Sequence, residues 1–188
     1  MMRPVHIRSI VSLGADDPDF RELLSPLEAR RMGRLLKRAV WCSSKALEAA
    51  GVAVPDAIVT ASDYGCVENS EAFLDALKGG DVPRPVHFMQ STHNTIGSLV
   101  AIRLGCHGYN ATYAHKGESW RSALSDAWMQ IALGDVETAL VGWFDEVTPR
   151  LRALDAALKE HATAVVLSAF PEGDILDNPL NLKSLPGA

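Results

Sequence analysis

Residues 88–146 read FMQSTHNTIGSLVAIRLGCHGYNATYAHKGESWRSALSDAWMQIALGDVETALVGWFDE, and this stretch decides the fold. Asn94 to Leu104 has the pattern of a core helix, and Gly105 ends it. Tyr109 to Ala114 alternates like a strand. Glu118 to Leu133 predicts a long helix stopped by Gly134, and Thr138 to Trp143 another strand. Between the first strand and the long helix lies the turn His115-Lys116-Gly117. Backbone N–H groups at such a helix start can stabilise an anion, so α/β enzymes often hold a nucleophile there. Gly117 permits a backbone geometry that other residues resist. On the long helix Ala123, Ala127 and Ile131 fall on one line, so another helix could approach closely. Trp120 and Trp128, eight apart, share a face suited to core or subunit packing.

Outside this stretch the same alternation continues. Val5 to Val11 reads as a first strand, and Gly14 to Leu24 as an Asp-rich loop. Ser25-Pro26-Leu27-Glu28 is a helix start: Ser25 caps, Pro26 suits the first helical position and Glu28 completes a capping box. The helix is expected to run to Ala50 and stop at Gly51, burying Met32, Leu36, Ala39, Val40, Ser43 and Leu47. Ala57 to Ala61 reads as a buried strand. Asn69 or Ser70 caps a short helix ending at Gly79 and Gly80. Pro149 opens a helix through Leu158 with Leu151, Leu154, Ala157 and Leu158 inward. Ala162 to Ala169 is a last apolar strand, and residues 171–188 form an extended tail. Strands alternating with helices predict an α/β architecture, with five mostly parallel strands covered by helices on both faces.

Composition sets the limits. The chain has 188 residues, 47% of them apolar, enough for one domain with a real core. A formal net charge of −5 speaks against a nucleic-acid partner. No apolar run approaches the ~18 residues needed to span a bilayer. The N-terminal apolar stretch is broken by His6, Arg8 and Ser9, so it reads as a strand and not as a signal peptide. A cytoplasmic protein without a membrane partner is the expectation. Cys42, Cys66 and Cys106 have no CxxC spacing, so neither a disulfide framework nor a zinc site is expected.

Residues 88–146 resemble the N-terminal half of a β-ketoacyl–acyl carrier protein synthase, a condensing enzyme of the thiolase fold. The family pattern is an Asn on a helix, a Gly-x-x-Gly turn, a strand ending in Thr-Ala-Cys with a nucleophilic Cys, and a small-residue helix. A Gly and a strand ending near an acidic residue follow. Asn94, Gly105, Gly108, Ala123, Ala127, Gly134 and Glu146 fall in that register. His161 to Leu167 resembles the family's later GEGAGAVVL strand. The stretches FMQSTHNTIG, CHGYNATYAHKGES and WFDE are also similar to short ketosynthase-like proteins of aryl polyene or flexirubin-type pigment pathways. The resemblance implies residues 1–170 as one half of a thiolase-like α/β/α sandwich.

The same register puts Gly117 at the nucleophile position, with His115-Lys116-Gly117 in place of Thr-Ala-Cys. Glycine carries no group for a covalent intermediate. The family's two catalytic histidines belong to a C-terminal half that these 188 residues lack. The resemblance therefore implies an accessory protein of fatty-acid or polyketide-type biosynthesis without condensing activity. The alternative is an active acyltransferase or 3-oxoacyl synthase-type enzyme using Ser119 or Cys106, or completed by a second chain. Ser119 reads either as a substitute nucleophile with His115 or His93 as base, or as a serine serving the helix end. Cys106-His107 reads as a turn rather than a catalytic pair. His93, Asn94, His115 and Cys66 are candidate pocket residues. No resident cofactor or metal is expected, only the phosphopantetheine arm of an acyl carrier protein as ligand. Arg30, Arg34 and Arg38, one turn apart, form a candidate docking stripe for an acidic carrier protein, or a solvated face. A lone half exposes apolar surface, so a homodimer or a heterodimer with a full ketosynthase is expected.

Overall fold

The capping signal at Ser25 starts a helix as read. In the computed structural model, which describes residues 2–179, α1 spans Pro26–Arg31. Glu28 N–H donates to Ser25 Oγ and Ser25 N–H donates to the Glu28 carboxylate. The helix does not continue unbroken to Ala50. Met32 takes an extended conformation, and Gly33 serves as the N-cap of α2, Arg34–Ala50. Glycine is among the poorest helix formers, so the chain bends there and turns the α2 stripe onto the sheet. Leu36, Ala39, Val40, Ser43 and Leu47 are buried as expected.

The sheet contains β1 (His6–Ser12), β2 (Ala57–Ala61), β3 (Tyr109–Tyr113), β4 (Thr138–Asp145), β5 (His161–Ser168) and β6 (Asp174–Ile175) in the order β3-β2-β4-β5-β1-β6. β2 pairs in parallel with β3 and β4. β5 runs antiparallel to both β4 and β1, and β6 is antiparallel to β1. β1 to β4 thus point one way and β5 and β6 the other. The sheet is mostly but not purely parallel, and β6 is a sixth strand beyond the five expected.

Helices cover both faces, as the sandwich half requires. α2 and α5 (Thr95–Leu104) pack on one side with Ile58, Leu140, Phe144 and Val166. α6 (Ser119–Leu133) packs on the other with Val59, Val141, Val165 and Leu167. Ala123, Ala127 and Ile131 are fully buried against this sheet, so the small-residue line is not free for another helix. Trp120 joins the same core, and Trp128 Nε1 donates to the Leu176 carbonyl at 2.8 Å.

Like α1, the helices α3 (Val67–Gly79), α4 (Pro85–Met89) and α7 (Pro149–Leu154) bury no residue and sit outside these layers. α3 starts at Val67, two residues before Asn69, because Cys66 takes the cap position. α7 corrects the sequence reading: it ends at Leu154, which is 83% exposed, and Ala157 is exposed too. In the tail, Leu176 N–H donates to the Val5 carbonyl and its side chain enters the core. The expectation for residues 180–188 lies outside the described residues. No helix among the described residues is long and apolar enough to cross a membrane.

Candidate functional site

Parallel strands bring their C-terminal ends together, and chain segments leaving those ends form a natural site. Here residues 62–65 follow β2, residues 114–118 follow β3, and Asp145 ends β4. Asp145 is 2% exposed. Its Oδ1 accepts from Ser62 Oγ at 2.9 Å, Asp63 N–H at 2.9 Å and Tyr64 N–H at 3.0 Å. Its Oδ2 accepts from Trp143 Nε1 at 3.1 Å. Burial pushes this carboxyl above its usual range, and the Tyr64, Ser62 and Asp63 donors pull against that rise. Asp145 thereby fixes the loop after β2.

That loop aims a second carboxylate at the start of α6. Asp63 Oδ2 accepts from Gly117 N–H at 3.0 Å, and its Oδ1 accepts from Ser119 Oγ. An anion at a helix N-terminus is favoured by the helix dipole and the unpaired N–H groups there. In this chain the anion is the protein's own. Gly117 has φ +83°, in the region that favours glycine, and the space where a side chain would stand is open.

The candidate residues separate clearly. Ser119 is 1% exposed; its Oγ donates to Asp63 and accepts from His115 N–H at 2.9 Å. It is the first residue of α6, whose cap position is held by Glu118, and its hydroxyl ties the turn from His115 to Asp63. His115 is exposed, its ring stacked near Tyr113 and its Nε2 2.8 Å from Ser122 Oγ. His93 covers Gly65: a side chain on Gly65 would meet its ring at 3.2 Å. His93 and His115 thus flank opposite ends of the 62–65 segment, and no hydrogen bond joins them among the described residues. Asn94 is exposed at the cap of α5 and makes no side-chain cap bond. Cys66 is 1% exposed, and burial pushes its thiol up to about 12, with Glu146 adding to the rise. It is a core residue rather than the wall of an open pocket. Cys106 donates to the Pro55 carbonyl at 3.2 Å and precedes β3, whereas His115 follows it. Five strand residues put the two ends roughly 17 Å apart.

Sequence reading missed Asp63, Asp145, Trp143 and His161. The His161 and Trp143 rings stack at 3.6 Å, and Trp143 stacks on Trp120 at 5.6 Å. Burial lowers the His161 imidazole from its usual value, while Asp63 opposes and Lys159 adds to that shift. The available signal was position: Ser62-Asp63 follows a strand end, and Trp143 to Asp145 sits at another.

The arginine stripe does not survive folding. Arg38 is 2% exposed; it donates to Asp17 at 2.6 Å and to the Gly14 carbonyl at 2.6 Å. Arg34 donates to Asp17 at 2.7 Å and to Glu160 at 2.8 Å. The break at Gly33 separates both from Arg30. Arg30 instead joins Arg31, Arg84 and His87 along a groove of about 530 Å³ that has Met32, Ala72 and Val86 as its apolar lining. Among the described residues, Arg30, Arg31 and Arg84 form no ion pair. No cluster of His, Cys, Asp or Glu that could hold a metal ion occurs among the described residues.

Residues 9–183 match the family described as Beta-ketoacyl synthase, N-terminal domain, and the chain belongs to that family. No curated protein sequence matches it. Among solved structures, it is similar to a chain of the ketosynthase ApeO in complex with its chain length factor ApeC from Xenorhabdus doucetiae. That match has a TM-score of 0.74 at 20% identity, covering 91% of this chain and 80% of that one. The ishigamide ketosynthase/chain length factor matches with a TM-score of 0.77 at 17% identity, over 89% of this chain and 59% of that one. AntDE:AntF, a type II polyketide synthase acyl carrier protein in complex with its ketosynthase, matches with a TM-score of 0.76 at 15% identity. It covers 88% of this chain and 62% of that one. The chain therefore spans less than two thirds of the length of the last two, and likeness at these identities establishes the fold.

Proposed function

We propose that this chain is a non-condensing, ketosynthase-like accessory subunit in fatty-acid or polyketide-type biosynthesis of the aryl polyene kind. The observation that carries this reading is the occupied start of α6. Gly117 offers no thiolate at the nucleophile position, and Asp63 already answers the Gly117 N–H. An acyl chain has no group there to bond to, and its developing oxyanion would meet a fixed carboxylate. The burial of Ser119 and the remote place of Cys106 favour this reading over one in which either carries an acyl group.

In this reading the chain works as a heterodimer with a full ketosynthase in the cytoplasm. β3 supports it: this edge strand of five uncharged residues pairs on one side only, with β2, and such an edge favours a partner strand. The ApeO–ApeC match supports it too, because there the matched chain is covered at 80%, so it is of similar size to this one. A homodimer would use the same edge. The second partner is an acidic acyl carrier protein, seated in the groove of Arg30, Arg31, Arg84 and His87. Its phosphopantetheine arm is the ligand, and the subunit needs no cofactor of its own.

The test is to supply acyl- and malonyl-carrier protein to the chain alone, to its ketosynthase partner, and to the pair. The chain alone should give neither a β-ketoacyl product nor an acyl adduct by intact mass. The pair should co-elute as a heterodimer and form product. An adduct on the isolated chain overturns the proposal, and so does a stable dilute monomer in the presence of the ketosynthase.

A further inference from the structure

Most arginines of this chain end on a carboxylate of their own protein. Arg8 pairs with Glu172, Arg34 and Arg38 with Asp17, Arg103 with Glu28 and Arg150 with Asp75. Arg3, Arg21 and Arg121 are paired as well. Among the described residues, Arg30, Arg31, Arg84 and Arg152 form no ion pair, and the first three of these line a single groove.

The groove is lined from α1, α3 and α4, and Gln90 ties these walls together. Gln90 Nε2 donates to the Arg31 carbonyl at 3.0 Å, and the Gln90 carbonyl accepts from Asn69 Nδ2 at 3.4 Å. Glu68 is the one carboxylate in the lining, set against three guanidinium groups. Met32, Ala72 and Val86 supply an apolar surface beside them. The volume of about 530 Å³ lies within the range of sites that hold small molecules.

We propose that this groove is a phosphoryl site, in which Arg30, Arg31 and Arg84 take the phosphate oxygens and Met32, Ala72 and Val86 take the start of the organic chain attached to them. A guanidinium is a rigid fork of donors that matches phosphate geometry. A phosphate group offers oxygens to several forks at once, whereas a carboxylate offers two. On the carrier reading proposed above, on which this site rests, the group gripped is the phosphodiester of the phosphopantetheine arm. Coenzyme A carries the same phosphoryl chemistry, so a thioester from either source fits the groove.

Calorimetry at low salt on the whole chain tests this. 4′-Phosphopantetheine should bind about tenfold more tightly than pantetheine, which differs only in lacking the phosphate. The exposed changes Arg30→Ala, Arg31→Ala and Arg84→Ala, combined, should abolish that preference. Carrier protein bearing the arm should bind about tenfold more tightly than carrier protein without it, and coenzyme A should compete with it. Equal binding of phosphopantetheine and pantetheine overturns the proposal, and so does a preference that survives the triple change. If both carrier forms bind alike and the triple change weakens both, the carrier reading stands and the phosphoryl site falls. If neither carrier form binds while phosphopantetheine keeps its arginine-dependent preference, the phosphoryl site stands, with coenzyme A as its source, and the carrier reading falls.

Discussion

Arg34 and Arg38 open α2, and Arg30 and Arg31 close α1, only a few residues earlier. Folding sends them to opposite fates. Arg38 is buried with every visible bond directed inward, to Asp17 and to the carbonyls of Leu13 and Gly14. Arg30 and Arg31 stand exposed beside Arg84 on an open groove. The first pair locks the Asp-rich loop onto α2; the second is free to meet an external anion. The start of α6 belongs with the inward group, because Asp145, Asp63 and Ser119 answer one another. Arg38 and Asp145 hold backbone from the inside, whereas Arg30, Arg31 and Arg84 face out.

The sharpest way to break that contrast is Asp145→Ala. It leaves four donors facing a buried void, and should cost about 4 kcal/mol in urea denaturation. A loss below about 1 kcal/mol would mean that water replaces the carboxylate without strain. Arg38→Ala should cost about 3 kcal/mol, because Asp17 and two carbonyls lose a buried partner. Ser119→Ala removes the hydroxyl that ties the turn from His115 to Asp63 and should cost about 1 kcal/mol in thermal melting. The triple change of Arg30, Arg31 and Arg84 to Ala should shift stability by less than about 0.5 kcal/mol, as surface changes do. It should nonetheless weaken carrier-protein binding by roughly tenfold in calorimetry at low salt, with the difference shrinking as salt is raised. A triple variant that binds as well as the unaltered chain removes the groove from the proposed function.

Much of the fold was open to reading along the chain. The capping box at Ser25, the long helix to Leu133 and the strands at Ala57, Tyr109 and Thr138 all follow from local chemistry and spacing. The glycine at position 117 was visible as well, because a missing side chain needs no coordinates to recognise. The break at Gly33 was not, since one glycine inside a strong apolar stripe is often carried within a helix, and here the tertiary packing chose the bend. Leu154 and Ala157 misled because apolar spacing alone does not say whether a sheet lies beneath them.

What the sequence by itself determined is the order of strands and helices along the chain, their apolar faces and the glycine at position 117, for these depend on residues near one another. Only the tertiary structure decided which charges would find partners. Asp63 meets Gly117 across 54 positions, and Arg38 meets Asp17 across 21. Such pairings are set when strands align their ends in one sheet, because a carboxylate acts over a few ångströms of space, whatever the length of chain between.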